Sequence, residues 1–383
     1  MLLYVHIPFC KRKCRYCSFV SYENKESQAE RYIENVIKEA ENRKDEFNEN
    51  LDTLFIGGGT PSLLPPELLI HLTNSLFHVF GADKPAEFTI EANPGTVTEE
   101  WISAAVNAGM NRLSLGMQAL QTELLATLGR IHTFADVETS IQTARRFGVD
   151  NINIDLIFGI PGQTHEQWVE TLDAALSLHP MHISAYGLIP EEGTPLHEDL
   201  QSGILALPDP ELERMMYDSA LSKLTLHGFS QYEISNFALD GMECRHNIGY
   251  WKQVPYVGLG VAASSMAVIQ QGKSGMTCRR MKNPDHLCEY EEMVFERMRP
   301  PEDLIIKPAE SRFETMMLGL RMNKGVDEEQ FRKMHGISLE EVYGNRLCRL
   351  EKQGLLTHSG HFWKLTRRGF DIQNSILVEL MDD

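Results

Sequence analysis

Three cysteines at short spacing are the residues of this chain that point most directly to chemistry. Cys10, Cys14 and Cys17 follow a short apolar segment with the pattern C-x3-C-x2-C. Thiolates are soft ligands that favour iron–sulfur clusters, and one tight loop can bring all three sulfurs to the same inorganic group. A four-iron cubane held by three cysteines keeps one iron without a protein ligand, and an open metal position is typical of a site that binds a reactant. The pattern therefore predicts a [4Fe–4S] cluster with one open iron.

Two other uses of these cysteines fit the sequence less well. A structural zinc site normally has four ligands, and no His or Cys close in sequence completes the set, since His6 lies in a predicted strand and the next cysteine is Cys244. A disulfide framework requires an oxidising compartment, and the seven cysteines, an odd number, are more typical of a reducing one.

Composition limits the class of protein. The chain has 383 residues, 42% of them hydrophobic and 23% charged, which is enough for two or three globular domains. The formal net charge of −18 argues against general binding of nucleic acid or anionic membranes. We find no pattern typical of a signal peptide and no apolar run of about 18 residues, so we expect a cytoplasmic protein without a membrane span.

The elements that must position the cysteines alternate between strand and helix patterns. Short apolar runs predict strands at 2–7, 53–56, 87–90, 112–115, 151–157 and 182–186. Helical periodicity lies between them, at 29–40, 65–80, 98–108, 134–147 and 166–178. Six such units predict an α/β fold with a parallel sheet, and periodicity alone leaves open whether the sheet is doubly wound or forms a barrel.

The polar residues favour a barrel because they follow the strands one after another. The cysteines follow the first strand, and the later strand ends carry 57–61, 91–95, 116–118, 155–163 and 186–187, which are rich in glycine, amide and carboxylate groups. In βα barrels the carboxyl ends of the strands form one shared mouth that carries the active site. Gly58 and Gly59 would allow the backbone to approach a ligand closely there.

The cysteine pattern directly after a strand resembles the signature of radical S-adenosylmethionine (SAM) proteins. The longer string Tyr4-Val-His6-Ile-Pro8-Phe9-Cys10 resembles the branch that contains the HemN family of oxygen-independent coproporphyrinogen III dehydrogenases and the HemW family of heme chaperones. The resemblance implies a partial (βα)6 radical SAM barrel, with a [4Fe–4S] cluster and SAM as cofactors. It also implies that a reduced cluster can pass one electron to the sulfonium of SAM.

The same resemblance implies a set of SAM-binding residues. In this chain the matching positions are Tyr4, Tyr16, Gly58, Gly59, Thr60, Glu91, Gln118, Arg130 and Asp155. Taken singly, Glu91 also suits a solvated loop carboxylate. Arg130 is able to pair with a carboxylate bidentately, and Asp155 would point into the barrel, where an unpaired carboxylate is costly.

The stretch Cys244-Arg-His246-Asn247-Ile-Gly-Tyr250-Trp251 is the second informative motif. Its imidazole and aromatic rings suit a porphyrin, with His246 as a candidate axial ligand and Cys244 as a candidate thiolate ligand. A structural histidine is the alternative for His246. The string H-N-x-x-Y-W resembles the HemW family.

The chain divides into three predicted domains. Residues 1–206 would form the radical SAM partial barrel, 207–307 a barrel extension and connecting region with the H-N-x-x-Y-W motif, and 308–383 a mainly helical, winged-helix-like domain of the HemN C-terminal type. We predict a helix at 208–227 and a strand at 230–234 in the second, and a two-stranded wing near 355–365 in the third. The third domain has no excess of basic residues, so a packing or lid role is favoured over DNA binding.

Two features favour the HemW family over the HemN family. The HemN pattern has a fourth cysteine where this chain has Phe19, and it has an N-terminal extension ahead of the motif strand. We therefore expect a heme chaperone that binds heme and transfers it to acceptor hemoproteins, with an electron donor or a heme donor protein as further partners. The basic residues Lys11, Arg12, Lys13 and Arg15 would suit an acidic electron donor or simply a solvated loop. The alternative is an enzyme, oxygen-independent coproporphyrinogen III oxidase.

Overall fold

A twelve-stranded mixed sheet is the framework of the computed structural model, which describes residues 1–46, 50–82, 84–273 and 275–381. Its central six strands are parallel and are joined by helices, as the α/β pattern predicts. They are β1 (Leu2–Ile7), β2 (Thr53–Gly58), β3 (Glu87–Ala92), β4 (Arg112–Gln118), β5 (Ile152–Phe158) and β6 (His182–Gly187). The helices are α1 (Ala29–Arg43), α2 (Pro66–Val79), α3 (Glu99–Asn107), α4 (Thr122–Leu128), α5 (Phe134–Arg146) and α6 (His165–Ser177).

The helix starts follow from local capping groups. The Thr98 hydroxyl accepts the backbone N–H of Trp101 at the start of α3. Thr164 begins α6 with a capping box, in which its hydroxyl accepts the Gln167 N–H while the Gln167 amide oxygen accepts the Thr164 N–H. Such caps satisfy backbone donors that the first helical turn would otherwise expose. Helices α3 and α6 therefore begin within one residue of the predicted starts at 98 and 166, whereas α4, which has no side-chain cap, has no counterpart among the predicted helices.

The second part of the chain extends the sheet on both sides. Its helices are α7 (Pro195–Gln201), α8 (Pro210–Leu226), α9 (Arg245–Trp251) and α10 (Leu287–Phe295). Its strands are β7 (Ser230–Gln231), β8 (Asn236–Ala238), β9 (Tyr256–Leu259), β10 (Ser264–Gln270), β11 (Thr277–Lys282) and β12 (Glu302–Ile306). The sheet order is β12-β11-β10-β9-β1-β2-β3-β4-β5-β6-β8-β7. Strands β1 to β6 follow one another in chain order, as in a partial βα barrel, and do not reverse as in a doubly wound sheet.

The predicted strand at 230–234 is confirmed at its first two residues and is shorter than predicted. β7 contains only Ser230–Gln231, and the chain then reverses so that β8 pairs with β7 and with β6, both antiparallel. The Gln231 amide donates to the Ile234 carbonyl at 2.9 Å, which stabilises the reversal. A side-chain bond that closes a loop on itself is not visible in the apolar pattern.

The C-terminal part is mainly helical around a small sheet. It contains α11 (Pro308–Gly319), β13 (Val326–Asp327), α12 (Glu328–His335), α13 (Leu339–Lys352), β14 (Leu356–Ser359), β15 (Phe362–Leu365), α14 (Arg367–Asp371) and α15 (Gln373–Leu380). The wing has three strands rather than two, because Val326 and Asp327 pair with Trp363 and Phe362.

The buried residues form separate cores. One cluster extends from Met1 to Val294 and fills the space between the sheet and its helices. A second cluster extends from Met316 to Leu380 within the C-terminal part. No helix among the residues described above is long and apolar enough to cross a membrane.

Candidate functional site

The cysteine loop lies at the carboxyl end of β1. A two-residue strand at Phe9–Cys10 pairs in parallel with Tyr22–Glu23, so the ends of the loop are fixed to each other. Cys10 is buried, Cys14 and Cys17 are half-buried, and all three are free thiols. Inside the loop the Cys17 N–H donates to the Cys14 carbonyl at 3.2 Å. One loop thus presents three reduced sulfurs, the donor set that an iron–sulfur cluster takes.

The thiols are held in a partly apolar pocket. Burial raises the pKa of the Cys10 and Cys17 thiols, although hydrogen bonds from Thr60 and Ser21 oppose this at Cys10. Metal binding deprotonates such thiols, because the cation replaces the proton as the partner of the sulfur. Among the described residues, no three His, Cys, Asp or Glu side chains converge as the ligands of a single metal ion would.

The glycines after β2 lie directly against the cysteine strand. A Cβ atom on Gly59 would lie 2.7 Å from the Phe9 carbonyl oxygen and 3.0 Å from the Cys10 sulfur. Gly58 has φ +110°, and a Cβ atom there would lie 2.5 Å from the His6 ring. The Thr60 hydroxyl faces the Cys10 sulfur at 3.6 Å. Only glycine allows this approach, so the loop and the cysteines form one compact wall.

Glu91 lies beside this wall at the carboxyl end of β3. Its carboxylate accepts the Gly58 N–H at 3.0 Å. Burial and the nearby charge of Asp155 raise the pKa of Glu91 to about 7. Asp155 itself is not unpaired, because it accepts the Ser114 hydroxyl at 3.0 Å and the Asn153 amide at 2.8 Å. Two acidic side chains thus differ in the site: Glu91 has a pKa near 7, and Asp155 accepts two hydrogen bonds.

Arg130, Tyr16 and Gln118 form the opposite side of the mouth. Arg130 donates to the Tyr16 hydroxyl at 3.0 Å and to the Asn93 amide oxygen, so its partners are neutral groups rather than a carboxylate. A Cβ atom on Gly116 would lie 2.9 Å from the Gln118 amide nitrogen and 3.3 Å from Arg130, which places these side chains together.

This side of the mouth carries polar atoms that lack partners. Gln118 has φ +66° next to an irregularity in the β4–β5 pairing, a strained backbone typical of functional sites. The buried Gln118 Oε1 and Arg130 Nε have no hydrogen-bond partner among the described residues. Buried polar atoms are almost always satisfied, so these two indicate a polar ligand. The side chains thus fit SAM, which offers amine, carboxylate, hydroxyl and base groups.

One cavity connects this mouth to the H-N-x-x-Y-W motif. It has a volume of about 710 Å³, within the range of about 300–1,000 Å³ that is usual for ligand pockets. Tyr4 and Glu91 line it near the mouth, and His246, Asn247 and Tyr250 line it at the other end. The side chain of Phe19, 64% exposed, also lines it.

The motif forms the helix α9, which closes the bottom of the barrel. The carboxylate of Glu87, at the start of β3, accepts the backbone N–H groups of Arg245 at 2.8 Å and His246 at 3.0 Å. Thr53, at the start of β2, contacts His246 Nδ1 at 2.7 Å. Because β2 rises about 3.3 Å per residue, the motif lies roughly 16 Å along the strand from Gly58. The cysteines and the motif are thus at opposite ends of the barrel.

His246 is held firmly on both ring nitrogens. Nδ1 contacts Thr53, and Nε2 contacts the Tyr250 hydroxyl at 2.9 Å. Burial, and secondarily the charge of Arg112, lower the pKa of His246 to about 3, so the imidazole is neutral. Cys244 is buried at the Glu87 carboxylate, 3.4 Å away, and burial raises the pKa of its thiol to about 12. It does not line the cavity, so the structure does not support a ligand role for Cys244.

Sequence reasoning missed His6 and Asn93. His6 lines the cavity, and its ring contacts the Tyr4 hydroxyl at 3.0 Å and the Val20 carbonyl at 2.7 Å. Asn93 donates to the Thr60 hydroxyl at 2.8 Å and accepts from Arg130. The two-residue period of β1 places His6 on the same face as Tyr4, and this signal was available in the sequence. For Asn93 only the tertiary structure shows the link.

Known proteins resemble this chain over most of its length. A model of the radical SAM superfamily matches residues 4–175, and a model of the HemN C-terminal domain matches residues 306–372. The chain is 37% identical to the heme chaperone HemW of Bacillus subtilis over 97% of both chains. It is 31% identical to the heme chaperone HemW of Escherichia coli over 98% of this chain and 96% of that one.

Two further similarities extend the comparison. The mitochondrial radical S-adenosyl methionine domain-containing protein 1 of Bos taurus is 32% identical over 99% of this chain and 87% of its own. The structure of the coproporphyrinogen III oxidase HemN from Escherichia coli superposes with a TM-score of 0.84 and 22% identity, covering 99% of this chain and 90% of that chain. At this identity the superposition shows the shared radical SAM fold and carries no information on the substrate.

Proposed function

Because this chain belongs to the HemW family within the radical SAM superfamily, we propose that it is a heme chaperone that holds a [4Fe–4S] cluster and SAM, binds heme and transfers it to acceptor hemoproteins. The observation that carries the proposal is the single cavity of about 710 Å³, lined both by residues of the SAM side and by the motif helix α9. A ligand as large and flat as heme needs a cavity of this size, and the aromatic rings of Phe55, Tyr250 and Tyr256 in its wall suit a porphyrin.

We propose that Cys10, Cys14 and Cys17 hold the cluster. The free state of all three thiols and the close approach of Gly59 and Thr60 to Cys10 support this assignment. When bound, the cluster supplies an electron for the sulfonium of SAM and an open iron for its amino acid part. The protein contributes the anchored loop and the partly buried surroundings of the sulfurs.

We propose that SAM binds across the mouth of the barrel. Tyr4, Tyr16, Gly58, Gly59, Thr60, Glu91, Gln118, Arg130 and Asp155 form its site in this proposal. The unpartnered Gln118 Oε1 and Arg130 Nε support it, because both require a polar partner. Glu91, with its pKa near 7, would accept a hydrogen bond from a ribose hydroxyl when ionised and donate one to it when protonated.

We propose His246 as a heme ligand. Its lowered pKa supports this, because only a neutral imidazole coordinates iron. Nε2 lies in the hydrogen bond to Tyr250, so coordination would require the Tyr250 hydroxyl to turn away. The Thr53 contact at Nδ1 would remain and hold the ring in place, as second-shell partners of metal-bound histidines do.

The remaining assignments concern domains, partners and location. We propose domains at 1–206, 207–307 and 308–383, and the separate core from Met316 to Leu380 supports the last division.

Acceptor hemoproteins, a heme donor protein and an acidic electron donor are the proposed partners. Lys11, Arg12 and Lys13 are exposed beside the cysteine loop and would suit the electron donor. The proposed location is the cytoplasm.

Heme titration of the cluster-loaded protein under anaerobic conditions tests the function. We expect saturable binding of heme and its transfer to an acceptor hemoprotein that lacks heme. The alternative function is oxidative decarboxylation of coproporphyrinogen III, because the cysteine motif and the strand before it also resemble the HemN family. Robust formation of protoporphyrinogen by the same sample, supplied with SAM and a reductant, would reverse the ranking. Phe19, in place of a fourth cysteine, supports the chaperone.

A further inference from the structure

Two cations line the cavity from the strand β11. Arg280 and Lys282 both belong to the cavity wall, as expected because side chains two residues apart in a strand share a face. Arg279, which directly precedes Arg280 in the strand, is on the other face and pairs with Asp303. The two cations are therefore presented to the cavity as a pair, and the adjacent arginine is not.

The neighbouring strands place apolar and hydroxyl groups next to this pair. In the ladder of the sheet, Met266 lies opposite Arg280, and Tyr256 lies opposite Met266 on the other side. Ser264 lies opposite Lys282. Because directly opposite residues share one face, the Tyr256 ring and the Met266 thioether lie in line with Arg280 on the cavity face of the sheet.

Both cations remain charged and partly accessible. Arg280 makes a bidentate pair with Glu314 of α11 at 3.1 and 3.0 Å. Lys282 pairs with Asp285 at 3.0 Å and with Glu302 at 3.5 Å. Their side chains are 37% and 32% exposed. Burial opposes the charge of Arg280, but the pair with Glu314 outweighs it and raises the pKa of the guanidinium.

These pairs do not exhaust the donors of the two side chains. A guanidinium has five N–H groups, of which Glu314 takes two and Tyr256 is a further partner. An ammonium has three, and Asp285 and Glu302 take two of those of Lys282. Each cation is therefore able to bind a further carboxylate. In a chain with a net charge of −18, Arg280 and Lys282 are the lysine and arginine side chains of this cavity wall, so they are the groups there that suit an anionic ligand.

Resting on the heme-binding function proposed above, we propose that Arg280 and Lys282 bind the two propionate carboxylates of heme at this edge of the cavity. The porphyrin ring then packs against the apolar walls that Phe55, Tyr256 and Met266 provide. Guanidinium and ammonium groups form charge-assisted hydrogen bonds with carboxylates, which are stronger than bonds between neutral groups. The subsite thus fixes which edge of the ligand faces β11.

The subsite also involves the C-terminal part of the chain. Leu318 of α11 lines the same cavity, and Glu314 lies one turn before it in that helix. A propionate on Arg280 shares the guanidinium with Glu314, so the bound ligand lies beside α11 as well as against β11.

Titrations with heme and with heme dimethyl ester, whose propionates carry no charge, test the subsite. The proteins are wild type, Arg280→Gln, Lys282→Gln, Arg280→Lys and the matched control Arg279→Gln, all with the cluster loaded. We expect wild type to prefer heme over the ester. Each Gln variant in the cavity should lose affinity for heme by on the order of tenfold, as expected for one charged hydrogen bond, without losing affinity for the ester. Arg280→Lys should retain most of the preference, and Arg279→Gln should match wild type.

Different outcomes overturn different statements. Heme affinity that is unchanged in both cavity variants, or equal weakening of heme and ester, would overturn the carboxylate subsite alone. Equal affinity of wild type for heme and ester would do the same. Wild-type protein that binds neither ligand would overturn the heme chaperone function and the subsite together.

Discussion

Thr53 Oγ1 and His246 Nδ1 lie 2.7 Å apart, and both groups are buried. This contact joins the first residue of β2 to the motif helix α9 across 193 positions of the sequence. It places the H-N-x-x-Y-W motif at the bottom of the barrel, whereas the cysteine loop lies beyond the carboxyl ends of the strands. The cavity between them is the space that the proposed function uses.

Removing this contact should cost stability. Thr53→Val keeps the shape of the side chain but leaves a buried imidazole nitrogen without a partner. We expect the free energy of unfolding to fall by about 1–3 kcal/mol, the usual cost of an unsatisfied buried group. Denaturant unfolding of wild type and variant measures this. The exposed Thr139, on the outer face of α5, provides Thr139→Val as a control that should change little. Equal stability of wild type and Thr53→Val would show that the contact is not stabilising.

Gly59 should not tolerate even one methyl group. In Gly59→Ala the Cβ atom would lie 2.7 Å from the Phe9 carbonyl oxygen, so the cysteine strand must move. We expect lower iron and sulfide content after anaerobic reconstitution and a loss of SAM binding of tenfold or more. Gly344→Ala in α13 is the control, since its Cβ atom would meet only the flexible Glu340 side chain, at 3.2 Å. Full iron content and SAM affinity in Gly59→Ala would contradict this account of the loop.

The three cysteines of the loop should be required for the cluster, and the others should not. Replacing Cys10, Cys14 or Cys17 by Ala removes one thiolate, so we expect loss of most of the iron and of the cluster absorbance. Cys348 is exposed and distant in sequence, and Cys348→Ala should reconstitute like wild type. Iron and sulfide analysis with absorption spectroscopy measures the outcome. Retention of a full cluster in any loop variant would remove that residue from the ligand set.

Glu91 should make stability depend on pH near neutrality. Burial and the charge of Asp155 raise the pKa of Glu91 to about 7 in the folded chain, above its ordinary value of 4.5. The folded state therefore binds this proton more tightly than the unfolded state does. The free energy of unfolding that Glu91 contributes is fully present below about pH 4.5 and is lost as pH rises through 7. Glu91→Gln removes the titration. We expect its midpoint of thermal unfolding to rise relative to wild type between pH 5.5 and 8, measured on cluster-free protein. A constant difference between the two proteins over this range would show that Glu91 does not titrate there.

Heme binding through His246 should be insensitive to mild acid. Because burial lowers the pKa of His246 to about 3, the imidazole stays neutral between pH 5.5 and 8, and no proton competes with iron. We expect His246→Ala to lose heme affinity. In wild type, the part of the heme affinity that this variant loses should not change between pH 5.5 and 8. Absorption titration at several pH values measures both. A wild-type affinity that falls below pH 6.5 and is unchanged in His246→Ala would point to another, ordinary histidine.

The order of the barrel was predictable because local signals agree with the tertiary structure. Apolar runs of strand length and amphipathic helices recur six times, and caps such as Thr98 and Thr164 mark the helix starts. The same repeat predicts that the polar groups after successive strands lie together, because the carboxyl ends of parallel strands are on one side of the sheet. The strand predicted at 230–234 ends at Gln231 because the chain reverses there, and the Tyr232 N–H and the Gln231 amide both donate within the turn.

The sequence by itself determined the α/β class, the cysteine set and the family resemblance, because each depends on residue types at short, fixed spacing. Only the tertiary structure decided where the motif lies and what surrounds it. Strand pairings between distant segments bring Thr53 into contact with His246, and they bring Arg280 and the motif helix to one cavity. Such pairings depend on the packing of the whole sheet, and no local pattern encodes them.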